Sequence, residues 1–105
     1  MELEKLRIFL AVAECRSFSL GAKRLYISHS TTSRAVAALE EELGVQLLRR
    51  ENRVLGLTPA GERLCEEARL LLEQAERAAQ RVRAAGGPGD GESPAGGLPG
   101  QPAPR

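Results

Sequence analysis

The sequence predicts a mainly α fold, three short helices and a small β-hairpin followed by one long helix, and three observations carry that expectation. Apolar residues recur at three- and four-residue steps through most of residues 2–85. Two Phe, one Tyr and no Trp leave the core to Leu, Val and Ala, a composition that favours helices over strands. Helix start and stop residues, among them Ser28, Gly44 and the pair Thr58-Pro59, punctuate the periodic stretches. At 105 residues, 42% of them hydrophobic, the chain holds at most one domain with its extensions.

The first helix is expected over residues 2–14. Leu3, Leu6, Phe9, Leu10 and Ala13 form its apolar face, while Glu2, Glu4, Lys5, Arg7 and Glu14 face elsewhere. Phe18, just outside the first helix, is expected as a core plug at the corner rather than a contact residue. The second helix is read with Ser19 as its N-cap, running to Leu25 with Ala22 and Leu25 turned inward. Gly21 and Ala22 are small enough for two helices to cross closely there. Tyr26-Ile27-Ser28 breaks the pattern, and Ser28 caps a third helix that reaches Leu43 and stops at Gly44. Thr32, Val36, Leu39 and Leu43 mark its buried stripe. Ser30, Ser33, Arg34 and Ala37 lie on the opposite one, and Glu40, Glu41 and Glu42 sit at its far end.

After Gly44, apolar pairs flank a charged tip, and Asn52 suits a tight turn. A hairpin is expected there, its tip carrying Arg49, Arg50 and Arg53. Thr58 as N-cap, Pro59 in the first helical position and Glu62 in the first turn then open the long helix. Along it Leu64, Ala68, Leu71, Ala75, Ala78 and Val82 alternate steps of four and three, a heptad seam. Such a helix is roughly 40 Å long, more than an 85-residue body covers, so a homodimer through this seam is expected. Residues 86–105 change composition abruptly: seven Gly, five Pro and one large apolar residue, Leu98, predict a disordered tail. The expected organisation is therefore 1–58, a winged helix-turn-helix; 59–85, a linker and dimerisation helix; and 86–105, the tail.

The function classes follow from charge and chemistry. The formal charge is only +1, but residues 16–53 hold seven cations against four acids, three of which are clustered. Hydroxyl donors packed at a helix start, followed by Arg34, suit the edges of bases, which makes double-stranded DNA the expected partner. One His with no second ligand at suitable spacing argues against a metal, and no nucleophile has an evident base, so neither enzyme nor cofactor is expected. No apolar run reaches the ~20 residues of a membrane span. Cys15 and Cys65 fit reduced thiols in a cytoplasmic protein.

Taken together, Leu6…Phe9-Leu10-Ala11-Val12-Ala13-Glu14, Ser17-Phe18, Ala22…Leu25…Ser28, Ser33-Arg34…Leu39-Glu40…Leu43-Gly44-Val45…Leu47 and Leu57-Thr58-Pro59-Ala60-Gly61 resemble the N-terminal domain of LysR-type transcriptional regulators. The resemblance covers residues 2–85. It implies a sequence-specific regulator that binds an interrupted palindrome as a dimer. By position it implies base-reading roles for Ser30, Thr31, Ser33 and Arg34, wing contacts from Arg50 and Arg53, and phosphate proximity for Ser19 and Lys23. His29, where the family more often has Gln, is a further candidate contact. Ser30 replaces a common Pro, Leu48 a frequent Phe, and Ala35, Ala37 and Ala38 stand where long polar side chains are frequent. Members continue into an effector-binding domain; the chain ends in the Gly/Pro segment instead, so no small-molecule effector is expected. The competing expectation is a truncated dimerisation or adaptor protein that pairs with a full-length regulator without productive DNA binding of its own.

Overall fold

The computed structural model describes residues 1–51 and 55–86. Its elements, in order, are α1 (Leu3–Cys15), α2 (Phe18–Leu25), α3 (His29–Leu43), β1 (Leu48–Arg49), β2 (Gly56–Leu57) and α4 (Pro59–Gly86). The mainly helical fold with a small hairpin is the one the sequence predicts. The Asn52 turn, the Arg53 side of the hairpin tip and the 86–105 tail (beyond Gly86 itself) lie outside the described residues.

One compact unit spans Met1–Leu72; a second, Glu73–Arg105, is described over residues 73–86, which are helical. The core of the first unit joins Leu6, Phe9 and Val12 of α1, Val36 and Leu39 of α3, Leu47 and Leu48 of the hairpin, and Leu64, Cys65 and Ala68 of α4. At roughly 25 cal/mol per Å² of apolar surface removed from water, aliphatic burial of this kind is the main drive for folding. Where α1 and α2 cross, a Cβ on Gly21 would sit 2.9 Å from Val12 Cγ2 and 3.0 Å from its Cα. Only glycine allows that approach.

The caps explain where each helix begins and ends. Ser17, not Ser19, caps α2: its hydroxyl accepts a hydrogen bond from the Leu20 N–H at 3.1 Å. Phe18 is consequently the first residue of α2, and it packs half-buried against the core as expected of a plug at that corner. α2 closes in a Schellman arrangement, with Ile27 N–H donating to the Ala22 carbonyl and Tyr26 N–H to that of Lys23. Tyr26 adopts the left-handed conformation at φ 58° and is 95% exposed. α3 has the expected limits, with Ser28 accepting from the Thr31 N–H at 3.0 Å and Gly44 at φ 70°. Its buried stripe is Thr32, Ala35, Val36 and Leu39. Leu43, expected to continue that stripe, is 40% exposed, because the last turn of α3 runs past the core.

The hairpin is short, pairing Leu48 with Leu57 and Arg49 with Gly56 in antiparallel register. It is fastened to the start of α4. Thr58 N–H donates to the Leu47 carbonyl, the Thr58 hydroxyl donates to that of Gln46 at 2.6 Å, and Gly61 N–H donates to the Thr58 hydroxyl. The Leu47 carbonyl lies directly over Gly61, where a Cβ would come within 3.0 Å of its carbon and closer still to its oxygen. This contact accounts for the Thr58-Pro59-Ala60-Gly61 motif: the threonine caps, and the glycine admits the strand.

Candidate nucleic-acid interface

The N-terminal half of α3 is organised by its cap. Ser28 Oγ donates to Thr31 Oγ1 at 2.8 Å and lies 3.3 Å from Ser30 Oγ, so three hydroxyls form one exposed cluster. Thr32, fully buried, donates its hydroxyl to the Ser28 carbonyl at 2.9 Å, which satisfies the polar group inside the core. Ala35 and Val36 are buried beside it. His29, Ser30, Thr31, Arg34 and Ala37 are exposed and Ser33 is half-buried. Of the three alanines that stand where long side chains are frequent, Ala35 is a core residue, Ala38 is half-buried and only Ala37 is exposed.

The helix start supplies unpaired main-chain N–H groups and a partial positive charge, and Glu41 and Glu42 are confined to the other end. Ser19 and Lys23 are exposed on α2, Ser19 in its first turn and Lys23 in its last. His29 places its ring 5.9 Å from that of Phe18, at 50°. The expected contacts of α2 and α3 are thus brought onto two consecutive helices joined by the Tyr26-Ile27-Ser28 turn.

The wing residues are less uniform. Arg49 is exposed, with no ion pair among the described residues. Arg50 is engaged within the protein: Nη2 donates to Glu40 Oε1 at 3.2 Å, and its guanidinium carbon lies 5.8 Å from the centre of the Phe18 ring. Arg53 lies outside the described residues. Glu40 is the residue that sequence reasoning missed. It belongs to the Leu39-Glu40 motif, but its partners lie seven to ten positions away and leave no periodic trace.

Along α4, Leu64 and Ala68 are buried in the core of their own domain, at 7% and 0% exposure. Two members of the expected dimer seam are therefore occupied within the chain. Leu71, Ala78 and Val82 are exposed and Ala75 is half-buried; Leu70, next to the seam, is exposed as well.

A second charged cluster ties α1 to its neighbours. Glu14 accepts from Arg24 of α2 at 2.6 Å and from Arg69 of α4 at 3.2 Å. The Arg24 hydrogen bond, against a smaller opposing effect of burial, holds its carboxyl below the ordinary 4.5. Burial pushes the Cys65 thiol above its ordinary 9.0. Among the described residues there is no group of three or more His, Cys, Asp or Glu side chains that could hold a metal, and no helix long and apolar enough to cross a membrane.

Two consecutive helices with a tight turn, an outward-facing helix start and a two-stranded hairpin fastened to the next helix define a winged helix-turn-helix. Residues 3–62 match the model of the bacterial regulatory helix-turn-helix proteins of the lysR family, and the chain belongs to that family. It is 46% identical over 85 residues to the HTH-type transcriptional regulator TcbR of Pseudomonas sp. (strain P51), covering 81% of this chain and 29% of that protein. The chain thus spans under a third of the length of this curated relative. It is similar to the CbnR DNA-binding domain in a crystal structure of its DNA complex: TM-score 0.78, 46% identity, 81% of this chain and 98% of that one. A BenM DNA-binding domain in complex with catB site 1 DNA gives a TM-score of 0.80 at 37% identity, over 85% of this chain and 99% of that one. The relatives are transcriptional regulators rather than enzymes.

Proposed function

We propose that this chain is a DNA-reading head of LysR type, which binds double-stranded DNA as a dimer and recognises an interrupted palindrome. The observation that carries this reading is the division of α3. Thr32, Ala35, Val36 and Leu39 hold it in the core, while Ser30, Thr31, Arg34 and Ala37 are left outward on a helix whose first turn carries no acid. The DNA-bound states of the CbnR and BenM domains support the same use of this fold.

In this role α3 enters the major groove. Arg34 reads a guanine through two hydrogen bonds, and Ser33, Ser30 and Thr31 meet neighbouring base edges or phosphates. Ser19, Lys23 and His29 set the register on the sugar-phosphate backbone, and the wing, with Arg53, approaches the adjacent groove. Dimerisation uses the part of α4 beyond the domain core, with Leu71, Ala75, Ala78 and Val82 as its seam. Two heads joined in this way address half-sites one helical turn or a multiple apart. Such a reader works beside the chromosome, in the cytoplasm.

An electrophoretic shift series on palindromic DNA selected from a random pool, run between low and moderate salt, tests this reading. Arg34→Ala is expected to narrow the gap between selected and random DNA by about 1–3 kcal/mol per half-site. Dimerisation without a shift on any DNA would replace this reading with that of an adaptor.

A further inference from the structure

The wing is held by α3 itself. Glu40, whose side chain is 17% exposed, accepts the Leu47 N–H at 2.8 Å and the Leu48 N–H at 3.4 Å on Oε2, and Arg50 at 3.2 Å on Oε1. One carboxylate thus grips the first strand of the hairpin by its main chain and, two residues further on, by a side chain. The strand's alternation fits this grip: Leu48 points into the core, Arg49 away from it, and Arg50 returns to the core side over the Phe18 ring. Phe18 in turn lies against His29 at the start of α3. From Glu40 through Arg50 and Phe18 to His29, the contacts run from the wing to the first turn of the recognition helix.

We propose that Glu40 is the positioning residue of the wing, with Arg50 as its clamp rather than a phosphate ligand, and that the phosphate contact from this strand belongs to Arg49. The proposal rests on the DNA-reading role above. Ionic hydrogen bonds to a half-buried carboxylate are among the stronger ones available to a protein, and here a single carboxylate accepts from Leu47, Leu48 and Arg50, three donors within four consecutive positions. A guanidinium so engaged contributes no net charge to the phosphates unless it leaves Glu40 behind. Arg49 bears no such obligation among the described residues.

Salt dependence separates the two arginines. Neutralising one phosphate ligand lowers the slope of log affinity against log salt by about 0.9. With the full chain bound as a dimer to selected palindromic DNA, Arg49→Ala removes one such ligand per head and is expected to lower the slope by about 1.8. Arg50→Ala and Glu40→Gln are each expected to leave the slope in place, weaken binding several-fold, and remove hydroxyl-radical protection only at the outer edges of the footprint. Gln retains an acceptor for the strand N–H groups but no charge for Arg50. The double variant should therefore bind no worse than the weaker single one, and Arg50→Lys should recover part of the loss. A slope lowered by Arg50→Ala, with Glu40→Gln indistinguishable from the unaltered protein, would overturn the proposal. If the unaltered chain shifts no DNA, the DNA-reading role fails and the grip is judged on the free protein. There, Glu40→Ala should speed amide exchange at Leu47 and Leu48 roughly tenfold, the effect of losing one hydrogen bond; unchanged exchange would sink it.

Discussion

Replacing Gly61 by Ala sets two effects of opposite sign against each other. In a helix, Ala is favoured over Gly by about 0.8–1 kcal/mol. At this position, however, the new methyl group meets the Leu47 carbonyl, 3.0 Å from its carbon and closer to its oxygen, and touches Leu57 Cδ2 at 3.2 Å. The atom in the way is main chain, and Leu47 is 1% exposed, so no side-chain rotation relieves the contact. Strand and helix have to separate. Overpacking of this kind costs about 1–3 kcal/mol, and separation also weakens the Thr58 N–H bond to the Leu47 carbonyl, about 0.5–1.5 kcal/mol more. The net expectation is a loss of about 1–3 kcal/mol, a fall in Tm of roughly 5–20 °C for a domain of this size. Thermal unfolding followed by circular dichroism measures it. Gly44→Ala is the control: nothing lies within 4 Å of its Cβ, so only the left-handed φ of 70° opposes it, by about 1 kcal/mol. A Gly61→Ala protein as stable as the unaltered chain would refute the steric account of the Thr58-Pro59-Ala60-Gly61 motif.

Three further outcomes follow from the same geometry. Tyr26→Gly relieves a left-handed residue whose side chain is 95% exposed; set against glycine's greater unfolded-state freedom, the gain is about 0.5–1 kcal/mol, readable as a raised denaturation midpoint. Glu14, held below its ordinary 4.5 chiefly by Arg24, contributes stability that is fully present above the unfolded-state value and lost as pH falls through the folded one. Glu14→Gln should therefore lower Tm at neutral pH, modestly because both pairs are partly exposed, and the difference should vanish at pH values below the ordinary carboxylate range. For the cysteines, timed alkylation at neutral pH followed by mass spectrometry should find Cys15, half-buried, modified before Cys65, which is buried and has its thiol pushed up; equal rates would show that α4 opens readily from the core.

Where local chemistry decides, the sequence was a good guide. Ser28, Gly44 and Thr58-Pro59 bound their helices as expected because a cap is chosen by neighbours three or four residues away. Ser17 and Ser19 flank Phe18 and offer the same chemistry, and only the hydrogen bond from Leu20 N–H separates them. The periodicity of α4 was legible too, but a repeat of threes and fours reports a buried face without saying what buries it. Leu64 and Ala68 are covered by α1 and the hairpin's own domain core, and the same spacing continues through Leu71 to Val82. Glu40 was hidden for a different reason. In the chain it reads as one of three glutamates on a solvated helix end, and its partners become neighbours only once the strand folds back on α3.

The partition of α3 has a consequence for how this protein acquires new targets. Ser28, Thr32, Val36 and Leu39 keep the helix in place, while Ser30, Arg34 and Ala37 carry almost none of that burden. In the proposed DNA-reading role, vocabulary and grammar are then written on opposite sides of one helix. Exchanging the outward residues should re-address the reader to a different operator at little expense in folding, which leaves drift of the target site easy to follow by single substitutions.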